Sequence, residues 1–220
     1  MKYIVYSSLF IPLLVSCSAP RKVNTWAADK YNTTLNSQPQ IKDDYFSVSS
    51  KLAINDQQPS TTVKESKGLL PLIFYWRGHY VNTVTLNPKI PINTFTIAFQ
   101  SYANSKQLKQ KLNGQKIELT VEQVPTIFMI DDKWQLIWLV YAFGWDIFSV
   151  LPEKNDLIVS YRIFKDNSEA KNGRVTIPDQ NKPLENLRRV KDGTWDYLNQ
   201  YDEAIKSMTK KTVDKIIEEL

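Results

Sequence analysis

Apolar and polar residues alternate through most of this chain, and the period changes for long enough to predict a helix in only two places. Phe46, Val48, Leu52 and Ile54 share one parity while Ser47, Ser49 and Lys51 take the other, the pattern of a half-buried strand interrupted at Ser50. Asn55–Gly68 is polar and rich in turn residues, which predicts a loop. Leu69–Tyr75 is apolar on both parities and reads as a strand entering the core, with Pro71 at its start or on an edge. Trp76–Tyr80 reads as a turn around Gly78, and Val81–Leu86 alternates again.

Ile117, Leu119 and Val121 alternate with Glu118, Thr120 and Glu122 in a strand that ends at Pro125. Thr126–Ile130 is a further apolar run, and Asp131-Asp132-Lys133 reads as a turn. Leu157–Phe164 forms another strand, and Asn172-Gly173 is a hairpin signal before Val175–Ile177. Pro178–Lys191 is expected to be loop.

The helical period appears first after Pro91, where Asn93 or Thr94 can cap a helix running to about Leu112 on Phe95, Phe99, Tyr102 and Leu108. Asn113-Gly114 supplies its stop, since Gly accepts the left-handed conformation. The second helix follows Gly193 with Thr194 as cap. Leu198, Tyr201, Ile205, Met208, Val213, Ile216 and Leu220 form its stripe, and Lys206, Lys210, Lys211 and Lys215 occupy other faces. From Trp195 to Leu220 it would be about 39 Å long. The stripe can cover the sheet, or it can offer an amphipathic surface to an envelope protein partner.

Two stretches break the alternation. Trp134–Leu151 is the most apolar run after the N-terminal segment. It fits a buried hairpin or a long strand bent at Gly144, with Trp134, Trp138 and Trp145 in the core. A short membrane-spanning helix is the competing reading, and Gln135, Asp146 and Ser149 count against it. Ser18–Asp44 is rich in Asn, Thr, Ser, Gln and Pro, and its scattered Val23, Trp26, Tyr31, Leu35 and Ile41 predict a flexible tether.

Ahead of that tether, Met1–Cys17 begins with Lys2, continues with a mostly apolar Tyr3–Leu14, and closes on Val15-Ser16-Cys17. A short basic start, an apolar core of roughly 7 to 15 residues and a small-residue end define a secretory signal. Such a core is too short to span a bilayer, which takes about 20 residues. Leu14-Val15-Ser16-Cys17 resembles the lipobox of bacterial lipoproteins. The resemblance implies cleavage after Ser16, a diacylglyceryl thioether on Cys17, an acylated (palmitate-type) new N-terminus and attachment to the lipid bilayer through Cys17. Ser18 resembles the residue found after the cysteine in lipoproteins sent to the outer membrane, facing the periplasm. On this reading residues 1–16 are signal peptide, residues 17–44 are lipidated cysteine and tether, and residues 45–220 are a single domain.

Cys17 is the only cysteine, so a lipidated chain has no disulfide, no cysteine-based zinc site and no thiol nucleophile. The net charge of +5 is small and dispersed, which excludes a nucleic-acid footprint. With six glycines in 220 residues and no phosphate-loop, dinucleotide-fold or nucleophile-elbow motif, no cofactor is expected. A single histidine, His79, rules out a multi-histidine metal site within one chain. Trp76, Arg77, His79 and Tyr80 form the one candidate ligand cluster, suited to a glycan or lipid through aromatic faces and a guanidinium, unless they simply pack a half-exposed turn. Asp131-Asp132 and Glu118/Glu122 are the carboxylate pairs a glycosidase would need at about 5–9.5 Å. Both lie where acidic residues commonly meet solvent, so a hydrolase is the weaker reading and a non-enzymatic role the stronger.

The fold class expected is therefore α+β: an antiparallel sheet with a mid-chain helix and a long C-terminal helix on one face. In layout it resembles small periplasmic lipoproteins that assist envelope transport or outer-membrane assembly machines. That resemblance implies a membrane-tethered scaffold or accessory subunit, with a tethered glycan- or lipid-binding module as the alternative.

Overall fold

A helix occupies the place of the expected tether. In the computed structural model, which describes residues 19–36, 44–53, 58–166 and 168–220, α1 spans Ala19–Asn36. Val23, Ala27, Tyr31 and Leu35 recur every fourth residue, and all four are buried in the main core, with Trp26 packed against it. A spacing of four places side chains one above the other on a helix. The composition hid this because the apolar residues are few, yet each falls on the same stripe. Cys17 and Ile41 lie outside the described residues.

The strands form two sheets, one more than the sequence predicts. The first has the order β1 (Phe46–Ser50), β4 (Lys116–Gln123), β7 (Leu157–Lys165), β8 (Ser168–Ile177). Its β1–β4 pair is parallel and the others antiparallel. Asn172 and Gly173 lie inside β8 rather than in a hairpin turn, which falls instead beside Asp166, at φ 49°. Gly173 is needed there by its neighbour: a Cβ at this position would sit 2.5 Å from the Tyr161 ring.

The second sheet is antiparallel throughout, in the order β2 (Ser60–Pro71), β3 (Tyr75–Leu86), β5 (Ile127–Trp138), β6 (Ala142–Pro152), β9 (Leu184–Leu187). Several turns expected from the sequence are continuous strand. The polar Ser60–Lys67 pairs along β3, Trp76–Tyr80 lies within β3, and Asp131–Lys133 lies within β5. In each case pairing with a neighbouring strand overrides the local turn signal.

α2 (Lys89–Ser105) starts four residues before the expected cap. Asn87 Oδ1 accepts from the Lys89 N–H at 2.9 Å, and Pro91 sits in the first turn, where no donor is lost. The helix breaks at Gln107 (φ 57°) and resumes as α3 (Leu108–Lys111), so that Leu108 and Leu112 still reach the core.

α4 (Val190–Glu219) joins the two sheets. Near its start, Gly193 lets it approach Phe148 and Leu187; a Cβ there would lie 2.5 Å from Leu187. Tyr197 meets Phe128 with ring centroids 4.7 Å apart, and the Tyr201 hydroxyl donates to the Pro125 carbonyl at 2.6 Å. Further along, Lys215 Nζ donates to the Thr176 carbonyl at 3.0 Å, and Tyr161 bonds to Glu219. Thr194, expected as the cap, lies inside the helix and bonds back to the Val190 carbonyl at 2.7 Å. The architecture is α+β, with α1, α2 and α4 packed on the sheets.

The docking of α1 has a direct test. Leu35→Ala empties a fully packed site and should cost about 2–5 kcal/mol. Urea denaturation of the parent and variant measures it, and a cost near zero would mean that the helix is not docked in solution.

Candidate functional site

The apolar stretches Leu69–Tyr75 and Trp134–Ile147 do not enter the core, and of the run expected there only its end, at Phe148 and Val150, is buried in it. The two stretches form two hairpins standing side by side, β2–β3 turning at residues 72–74 and β5–β6 turning at 139–141. The Leu72 N–H donates to the Tyr75 carbonyl at 2.8 Å, and the Leu139 N–H donates to Tyr141 at 3.1 Å. The Trp138 N–H donates to the Phe74 carbonyl at 2.8 Å, which joins the two turns. The result is a four-stranded ribbon projecting from the helix-covered body. Among the described residues no helix is long and apolar enough to cross a membrane, and the Trp134–Leu151 run is strand.

The ribbon is layered along its length. Nearest the body, Ile130, Val150 and Phe148 belong to the core. The next rungs are polar. Tyr80, Asp132 and Phe148 stand opposite one another, as do His79, Lys133 and Ile147. Beyond these, Trp134 lies over Gly78, where a Cβ would come 2.2 Å from its indole nitrogen, and Arg77, Gln135 and Trp145 form the neighbouring rung.

From Gly68 to Trp76 and from Leu136 to Trp145 there is no charged residue. The turns carry Leu72, Ile73, Phe74, Leu139, Val140 and Tyr141, and exposure peaks at the two apices, 82% for Ile73 and 85% for Val140. Trp138 and Trp145, expected in the core, are 52% and 44% exposed.

The candidate ligand cluster is split by its strand. Successive residues of β3 point to opposite faces, so Trp76 and Tyr80 share the face that continues into the core, while Arg77 and His79 share the other. On the first face Lys64 Nζ sits 4.0 Å from the Tyr80 ring centroid. On the second, His79 Nε2 contacts Asp131 Oδ1, and Lys133 Nζ lies 3.3 Å from Asp131 Oδ2. Asp131 is thus held between two basic groups in a structural pairing.

Of the carboxylate pairs named from sequence, one is split across its strand and the other is engaged in ion pairs. Asp131 and Asp132 face opposite sides of β5. Glu118 pairs with Arg162 at 2.9 Å, and Glu122 pairs with Lys51 at 2.6 Å and Arg174 at 2.9 Å. Among the described residues no three His, Cys, Asp or Glu side chains gather as a metal site.

The carboxyl pair that does form joins Asp132 to Asp146, on adjacent strands and the same face, two rungs apart. Sequence reasoning missed it because the partner lies fourteen positions away across a hairpin whose turn was misplaced. Burial, together with the Asp146 carboxyl beside it, pushes Asp132 up to about 7; Lys64 opposes the rise and Asp131 adds to it. Asp132 Oδ1 and Asn82 Oδ1 are buried on this face without a hydrogen-bond partner. A concavity of about 510 Å³ lies between α2 and α4, lined by Thr94, Ala98, Ser101, Tyr102, Lys206 and Lys210 among others. Its lysines are engaged at its rim: Lys206 with Glu203 at 2.8 Å and Lys210 with the Tyr102 ring at 5.9 Å.

No protein-family model matches this chain, and no curated protein or solved structure matches it.

The raised Asp132 has a calculable sign. An unfolded carboxyl titrates near 3.9. Between about pH 4 and pH 7 the folded chain thus holds a proton that the unfolded chain has released. Stability from this group falls as pH rises through that window and levels off above it. Asp132→Asn should flatten this part of the profile, so urea midpoints at pH 4, 5.5, 7 and 8 should change less in the variant than in the parent. Equal slopes in both chains would refute the assignment.

Proposed function

We propose that this chain is a membrane-tethered lipoprotein of the cell envelope, held by acylated Cys17 at the outer membrane facing the periplasm. It works without catalysis, as a scaffold or accessory subunit of an envelope transport or assembly complex. The projecting ribbon is its working surface. The observation that carries this reading is the exposure of two adjacent apolar turns, with no charge from Gly68 to Trp76 or from Leu136 to Trp145. Monomeric soluble proteins seldom expose contiguous apolar patches of more than a few hundred square ångströms, and larger ones mark interaction sites.

The signal segment and the Leu14-Val15-Ser16-Cys17 sequence support the anchor. Several acyl chains, at about 0.8 kcal/mol per buried CH₂, hold a protein stably where one does not. The catalytic alternative has less support, because His79 is engaged with Asp131 on an open strand face, Asp131 and Asp132 face opposite sides of β5, and Glu118 and Glu122 are each held in ion pairs. The glycan-binding alternative needs Trp76, Arg77, His79 and Tyr80 to converge, and they alternate across a sheet.

Cell fractionation with labelled palmitate tests the anchor. The parent chain should carry label and sediment with membranes, and Cys17→Ala should lose the label. A strain lacking the protein should show an envelope permeability defect that the parent and His79→Ala both restore and Cys17→Ala does not. Loss of rescue by a stably folded His79→Ala would favour catalysis instead.

A further inference from the structure

We infer that the ribbon tip seats in the interfacial layer of a lipid bilayer, as a second membrane contact separate from the acyl anchor; this deepens the reading of the ribbon as working surface. Three observations select lipid over a protein partner. The first is that the tip is apolar all round. On the face continuous with the core the outer rungs carry Pro71, Trp76, Leu136 and Trp138, and on the opposite face Leu70, Tyr75, Ile137 and Phe143. A protein groove covers one face of a ribbon, whereas lipid surrounds a protrusion on every side.

The second observation is the order of chemistry along the axis. Aliphatic apices come first, then the aromatic level of Tyr75, Trp76 and Trp138, then the rung that Trp145 shares with Arg77, and then Asp146 and Lys133. Trp and Tyr are favoured at membrane–water interfaces, with charged groups on the aqueous side. From Ile73 back to Trp76 is three residues, and because Ile73 and Phe74 lie in the turn the span is at most about 10 Å, the reach of extended chain. Interfacial elements bury their apolar part by about 5–10 Å, so the aromatic level falls where a headgroup layer would be.

The third is the state of the backbone. The inner strands are paired up to the turns, including the Trp138–Phe74 bond between hairpins. The outer edges are open: among the described residues no strand pairs with the far side of β2, and β9 pairs with β6 only at Phe148 and Val150, leaving Ala142–Ile147 unpaired on that side. Open edges are not tolerated in the hydrocarbon core. They set a limit on depth, and the limit agrees with the span of at most about 10 Å back to the aromatic level. The ribbon dips into one leaflet and does not span.

The test uses the chain from residue 17 onward, which keeps every described residue, with Cys17→Ser so that no acyl chain contributes. Flotation is measured with vesicles of phosphatidylethanolamine and phosphatidylglycerol at 3:1, and with vesicles of phosphatidylcholine alone. Binding to both is expected, and the double variant Ile73→Asp/Val140→Asp should lower partitioning at least tenfold. Both positions are turn apices with little packing, and circular dichroism with a melting curve checks that the fold is kept. Tryptophan quenching should be stronger with bromines near the top of the acyl chain than with bromines near its end.

Equal flotation of parent and variant would overturn the proposal. So would a parent that ignores vesicles and forms oligomers that the double variant dissolves, which would make the tip a self-association surface. Because Cys17 is replaced throughout, these results speak to the ribbon alone, and palmitate labelling of the Cys17 chain speaks to the anchor.

Discussion

The burial of one stripe along α4 holds the two sheets in one molecule. Leu198, Tyr201, Ile205, Met208, Val213 and Ile216 are all within 2% of full burial. The helix is 30 residues, about 45 Å, and its first third packs on the ribbon-bearing sheet while its last turns reach the other. Each sheet has an apolar inner face that would be unstable in water alone. A short helix could cover one of them, but only an element of this length reaches both. α2 then fills the groove beside it, with Tyr102 bonded to Asp214 at 3.2 Å, and α1 closes the remaining side.

The same arrangement explains why the ribbon can project. With the inner face of the second sheet anchored by α4 at Phe128 and Phe148, the outer half of β3, β5 and β6 needs no further cover to stay formed. Its edges are treated unequally. β2 carries Lys64 and Lys67, a register shift between Ser66 and Gly68, and Pro71, all devices that discourage an additional strand. β6 is shielded by β9 only near the body. The buried carboxyl of Asp132 lies at the boundary between these regimes, where a paired, helix-covered sheet becomes a free-standing one.

Legibility in the sequence followed the local period. β4, β7 and the α4 stripe were readable because burial on one face enforces a strict alternation or a helical spacing. The stop at Asn113-Gly114 was readable too, since both residues take positive φ, 47° and 82°. Failures came where pairing or packing between distant segments overrode local chemistry. Val23, Ala27, Tyr31 and Leu35 looked too sparse to fold, because the surface they cover comes from β2, α2 and α4. Asp131–Lys133 and Asn172-Gly173 carry turn residues, yet flanking strands hold them extended. The ribbon was visible as composition, in its dense run of Trp, Leu, Ile and Phe, but its exposure was not. An apolar run is ordinarily taken inward, and nothing local distinguishes one that faces out. The alternation that separates Trp76 and Tyr80 from Arg77 and His79 was hidden by the same misplaced turn.

The contact between α1 and α4 bears on the order in which the molecule can assemble. The Tyr31 hydroxyl donates to Asp202 at 2.9 Å and to the Leu198 carbonyl at 3.2 Å, and Lys30 Nζ lies 3.2 Å from Asp202, across a sequence separation of 171 residues for the Tyr31–Asp202 pair. Contacts this distant along the chain are slow to form, because loop-closure entropy is lost before the contact returns anything. The hairpins β2–β3, β5–β6 and β7–β8 can zip locally, but α1 has no complete surface to dock on until α4 has been laid down. During that interval the apolar stripe of α1 and the inner faces of both sheets are open together. The chain has a built-in delay between making its parts and closing its core.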